Sequence, residues 1–244
     1  MTHRPPCIVV LDDESESVGS TALALIQLGV EPLYSKWLDE AQLFVREASG
    51  RVDGAIASSR LSMDQLVDLR DVIAANASQR QASVLLIGLR TDPTSSEDLR
   101  RSGFSSCLWV PYNAAELKFA ISNLVLMPEE ITPRREPRAG ANRLCWMRVG
   151  GTRCFGVLYT ISASGAYVEM PSPLPVGTEV EIEFDFEDLQ VEATARVIYS
   201  VGSDQGRSSL LAPGVGCLFT NLEKTLESEL RTRVAQHAAR HTLI

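Results

Sequence analysis

The hydrophobic pattern of the chain changes its period once. Up to about residue 127, continuous apolar runs alternate with stretches of helical spacing; beyond residue 142, apolar residues recur at every second position. CIVVL (7–11) is an uninterrupted, partly β-branched run, as expected of a parallel strand covered on both faces. VGSTALALIQLG (18–29) carries helical spacing and stops at Gly29, a C-terminal cap signal. VEPLYS (30–35) reads as a short edge strand, since Pro32 cannot donate to a ladder. The alternation continues through LDEAQLFVREAS, GAIAS, MDQLVDLRDVIAANA, SVLLIGL, SSEDLRRSG, SCLWV and AAELKFAISNLVLM. Five βα units result. They predict a doubly wound, five-stranded parallel sheet with its functional edge at the carboxyl ends of the strands.

In the second half, TEVEIEFDF sets Val180, Ile182, Phe184 and Phe186 against Glu179, Glu181, Glu183 and Asp185, the pattern of a strand with one wet face. RLCWMRV, RCFGVLYTIS, AYVEM, VEATARVIYS and GVGCLF are further short strands, and together they predict a small antiparallel β-barrel. LEKTLESELRTRVAQHAAR then predicts a C-terminal amphipathic helix. The junction PEEITPRREPRAGAN holds three prolines and a cluster of charge, and marks an interdomain linker. The expected organisation is therefore a first domain over 1–127, an arginine-containing linker over 128–142, and a barrel with its helix over 143–244.

The 244 residues are 45% hydrophobic, enough for two cores. A net charge of −8 argues against broad DNA binding, because no excess of Lys and Arg can displace counterions from phosphates. An anionic ligand would need a local basic cluster, and Arg134, Arg135 and Arg138 supply one within the linker. No apolar stretch approaches the length of a signal peptide core or membrane span, so a cytoplasmic location without membrane insertion is expected. The cysteines Cys7, Cys107, Cys145, Cys154 and Cys217 are scattered and read as core residues rather than a zinc or disulfide framework. His237 and His241 share a helical i,i+4 spacing but have no third ligand nearby. The helix AAELKFAISNLVLM is apolar on more than one face, through Leu117, Phe119, Ile121 and Leu124. That excess fits either a homodimer contact of the first domain or a cover supplied by the second.

The strand running into Asp12 and Asp13, the five βα units and SGFSSCLWVPYNAAEL together resemble the receiver domain of bacterial response regulators. In that family an acidic pair holds Mg²⁺, an aspartate after the third strand accepts phosphate, a Thr or Ser after the fourth senses it, and a Lys after the fifth contacts it. The resemblance keeps the pair as Asp12 and Asp13, either a weak metal site or a remnant. It places Ser58 at the acceptor, Gly88 at the sensor and Val110 at the lysine. A serine with no base beside it is a poor phosphoryl acceptor. The implied domain is a pseudo-receiver, used for its surfaces.

PSPLPVGTEVEIEF and GVGCLFTNL make the second half similar to the PilZ domain, a bacterial receptor module for cyclic di-GMP. The family signature is RxxxR before the barrel and (D/N)xSxxG between two of its strands. Arg134 and Arg138 fit the first, with Arg135 beside them. TISASG fits the second at Ser162 and Gly165, with Thr160 where Asp or Asn is usual. The resemblance implies that the arginines fork onto phosphate or guanine, that Ser162 donates a hydrogen bond, and that Gly165 permits a turn or close approach. Thr160 lacks the charge of an aspartate, a deficit of about 1–2 kcal/mol. The expected function is a non-catalytic cyclic di-GMP effector needing no cofactor and acting on an unidentified downstream protein. The alternative is a ligand-independent interaction scaffold.

Overall fold

A computed structural model describes residues 4–13, 16–48, 50–76, 83–92, 94–125, 136–202, 211–240 and 243. The chain divides into two compact units, Met1–Thr132 with Ala239–Ile244, and Pro133–Ala238.

The first unit is built from β1 (Cys7–Leu11), α1 (Glu16–Gln27), β2 (Glu31–Ser35), α2 (Leu38–Glu47), β3 (Val52–Ser58), α3 (Met63–Asn76), β4 (Val84–Gly88), α4 (Ser96–Arg101), β5 (Ser106–Trp109) and α5 (Ala114–Val125). Its sheet is five-stranded, in the order β2-β1-β3-β4-β5, with every pair parallel. This is a doubly wound order whose switch point lies between β1 and β3. Every residue of β1 and β4 is buried, which accounts for their unbroken apolar runs. Val9, Leu11, Ala55 and Ala57 pack with Ala41 and Val45 of α2 and with Leu66, Leu69 and Ile73 of α3. As the proline suggested, β2 is an edge strand, and Gly29 ends the α1 turn at φ +74°.

Three of the apolar residues read as excess on α5 are packed inside this unit. Leu117, Ile121 and Leu124 are all buried, and Leu124 lies so close over Gly54 that a Cβ there would stand 2.7 Å from its Cγ. Those three residues therefore face their own sheet and do not argue for self-association. Leu243 is also buried in this unit's core, and its N–H donates to the Ser105 carbonyl at 3.1 Å.

The second unit is a closed antiparallel barrel of β6 (Ala139–Val149), β7 (Thr152–Ser162), β8 (Gly165–Glu169), β9 (Glu179–Phe186), β10 (Leu189–Val201) and β11 (Gly214–Asn221), in the order β10-β11-β8-β7-β6-β9 with β9 pairing β10. α6 (Lys224–Ala239) follows. The alternation expected for β9 holds, with Val180, Ile182, Phe184 and Phe186 pointing into the core. Leu230 and Val234 seat α6 on the same core. β6 begins at Ala139, within the segment that reads in sequence as linker. Ala139 and Ala141 are buried, but Ala-Gly-Ala carries no large apolar side chain to signal a strand. No helix among the described residues is long and apolar enough to cross a membrane.

Candidate functional sites

The carboxyl edge of the parallel sheet collects Asp12, Asp13, Ser58, Gly88 and Val110. Asp12 is 3% exposed and accepts a 2.6 Å hydrogen bond from the Tyr34 hydroxyl on Oδ2. Its Oδ1 has no hydrogen-bond partner among the described residues. Asp13 faces Arg60 at 3.5 Å. Ser58 is 1% exposed, and its Oγ accepts from the Arg60 backbone N–H at 3.2 Å. The place a side chain at position 88 would take is filled: a Cβ on Gly88 would overlap Ser59 Oγ. That hydroxyl donates to Asp92 Oδ2 at 2.6 Å, and the same oxygen accepts the Leu89 N–H at 2.7 Å. Val110 is tied to this edge through its backbone, N–H to the Gly88 carbonyl at 2.8 Å.

One Asp12 oxygen is held by a phenol, Asp13 faces a guanidinium, and Ser58 brings no charge to the aspartate position of the receiver pattern. Among the described residues no group of three or more His, Cys, Asp or Glu could hold a metal. The His237 ring packs on Phe186, with Nδ1 at 3.3 Å from Glu187 Oε1; His241 lies outside the described residues. Cys7, Cys107, Cys145 and Cys217 are buried. Burial, helped by Glu31 and Asp53, pushes the Cys7 thiol up to about 11, and burial pushes Cys217 up to about 12. These are packing residues rather than nucleophiles.

In the barrel, pairing of β6 with β7 brings two sequence-distant motifs together. Ala139 is opposite Ile161 and Gly140 opposite Thr160, so Arg138, one residue before this pairing, enters the barrel at the Ser162 end of β7. Thr160 and Ser162 are 5% and 3% exposed. Ser162 Oγ donates to the Gly165 carbonyl at 3.2 Å and lies 3.4 Å from Ser164 Oγ, closing the turn into β8. Position 165 requires glycine because β11 passes directly over it: a Cβ would overlap the Cys217 carbonyl oxygen. The close approach is made by the protein's own backbone. Arg138 is half-buried, and among the described residues its guanidinium makes no hydrogen bond or ion pair. Arg134 and Arg135 lie outside the described residues.

Three features around these sites carried no sequence signal. Tyr34 reaches Asp12 from the neighbouring strand, Tyr167 donates to the Ala212 carbonyl at 2.6 Å while stacking on Tyr199, and Glu136 pairs with Arg231 of α6 across 95 positions of sequence. Burial raises the Tyr167 pKa, so its hydroxyl stays a donor. A groove on the outer barrel face, lined by Trp146, Arg148, Arg153, Glu181 and Glu183, includes none of the motif residues.

The family model of the PilZ domain matches residues 132–236. No curated protein matches the chain. Solved structures similar to parts of it include the Bacillus subtilis inhibitor of motility MotI/DgrA, at 14% identity over 45% of this chain and 53% of that one, with a TM-score of 0.38. The match thus spans about half of the Bacillus protein's length. Others are the PilZ domain of Escherichia coli YcgR with cyclic di-GMP, at 20% identity over 45% and 94% of the two chains, TM-score 0.37, and the Vibrio cholerae chemotaxis response regulator CheY4, at 15% identity over 49% and 98%, TM-score 0.41.

Proposed function

We propose that this chain, a receiver-like unit followed by a PilZ domain, is a cytoplasmic, non-catalytic effector that binds cyclic di-GMP on its barrel. The observation that carries the reading is the β6–β7 register, which pairs Gly140 with Thr160 and brings the preceding Arg138 to the Ser162 end of β7, next to the turn into Gly165. Arg134 and Arg135 precede it in the same segment. A cyclic dinucleotide offers two phosphates and two guanine edges, and a guanidinium with no partner among the described residues can fork onto either. Arg134, Arg135 and Arg138 are assigned to phosphate and guanine contacts, and Ser162 to a short hydrogen bond. Contact of this segment with the ligand would give the signal to a downstream protein.

The receiver-like unit is proposed to be incompetent for phosphorylation. Ser58 is buried with its oxygen already accepting a hydrogen bond, Ser59 fills the sensor position, and Val110 brings no charge to a phosphate. The unit would act through its surfaces. The second reading, a ligand-independent scaffold, is favoured by Thr160 in place of a carboxylate and by the burial of both motif hydroxyls. Calorimetry with cyclic di-GMP separates the two: saturable binding at one stoichiometry supports the effector, and absence of heat at millimolar ligand leaves the scaffold.

A further inference from the structure

The chain is held on both sides of Arg138. Downstream, Ala139 and Gly140 are fixed by pairing with Ile161 and Thr160. Upstream, the Glu136 carboxylate, largely shielded from solvent, accepts a hydrogen bond from Arg231 Nη1 on α6. Arg231 stands on a rigid platform, because its neighbour Leu230 and Val234 are buried in the barrel core. Its Nη2 is also held by Glu227, one turn earlier, at 2.7 Å. Glu227 first, and then Glu136, raise the Arg231 pKa. Only Pro137 and Arg138 lie between the two anchors, and a proline ring fixes its own φ. The Arg138 backbone therefore has little freedom, while its guanidinium has no partner among the described residues.

We propose that Arg231 is a positioning residue of the ligand site: by holding Glu136 on α6 it pre-sets Arg138 for the ligand. The proposal rests on the cyclic di-GMP reading above. Its physical basis is preorganisation, since a segment already anchored at two points loses less freedom on binding than one that must be ordered by the ligand. A role in charge alone makes the opposite prediction for Glu136. Glu136→Gln removes a negative charge from an anion site, so electrostatics would tighten binding, whereas loss of the anchor weakens it.

The experiment is calorimetric titration of the intact chain with cyclic di-GMP, with circular dichroism and thermal melting of each variant. Arg231→Met should raise Kd about five- to tenfold, and Arg231→Lys should recover most of that. Arg233→Met, which removes the same charge from the same helix but breaks only the pair with Asp188, should stay within about twofold. Glu136→Gln should weaken binding, and combining it with Arg231→Met should add little, as for two groups of one pair. If Arg231→Met does not fold, Arg231→Lys and Glu136→Gln carry the test. Wild-type protein that does not bind overturns both readings. Binding by wild type with Arg231→Met unchanged, with Arg233→Met equally weakened, or with Glu136→Gln tightened, overturns the positioning role alone.

Discussion

Replacing Arg138 with alanine separates a ligand contact from a structural one. The side chain is half-buried, yet among the described residues its guanidinium makes no hydrogen bond or ion pair. Truncation therefore removes no hydrogen bond or ion pair among the described residues, and stability should fall by no more than about 1 kcal/mol through partial loss of side-chain packing. Binding should respond very differently. A charge-assisted hydrogen bond to phosphate or a guanine edge contributes about 1.5–3 kcal/mol, so Kd should rise by a factor of roughly 10 to 150. Calorimetric titration with cyclic di-GMP and a thermal melt of the same preparation give both quantities. An unchanged Kd would refute the assignment of Arg138 to the ligand. A large loss of stability would show instead that the side chain holds the barrel together.

Thr160→Asp should tighten cyclic di-GMP binding, because it restores the carboxylate that the PilZ signature places against guanine. A site that merely traps anions would instead be weakened by the added negative charge, and competition titration decides. Gly165→Ala should destabilise the barrel by about 1–3 kcal/mol with or without ligand, since its Cβ would overlap the Cys217 carbonyl; an unchanged denaturation midpoint would contradict the packing described. Incubation with acetyl phosphate and Mg²⁺ should leave the intact mass unchanged, and a phosphoryl adduct lost in Ser58→Ala would contradict the pseudo-receiver assignment.

The two architectures were legible because each has its own hydrophobic period. Cys7–Leu11 and Val84–Gly88 are buried along their whole length and read as unbroken apolar runs. Glu179–Phe186 is buried at every second residue and alternates. The start of β6 was not legible, since Ala139, Gly140 and Ala141 are too small to mark a face, although that strand is what brings Arg138 to the Ser162 end of β7. Nor was the reason for Gly165, a property of β11 passing overhead rather than of the local turn. Ser59 at the position 88 side-chain site, Tyr34 on Asp12 and Arg231 on Glu136 are contacts between elements distant in sequence. They depend on tertiary placement, which periodicity does not encode. The apolar excess of α5 was visible, but the sheet contact that Leu124 makes over Gly54 was not.

The most direct test is to record backbone amide NMR spectra of the intact, isotope-labelled protein while titrating cyclic di-GMP, because one measurement reports both whether the ligand binds and where. The account predicts saturable shifts concentrated on Arg138–Ala141 and Thr160–Gly165, with the Ser58, Gly88 and Val110 edge of the parallel sheet little affected. Spectra that do not change at saturating ligand, or shifts confined to residues away from the β6–β7 register that joins the two motifs, would contradict it.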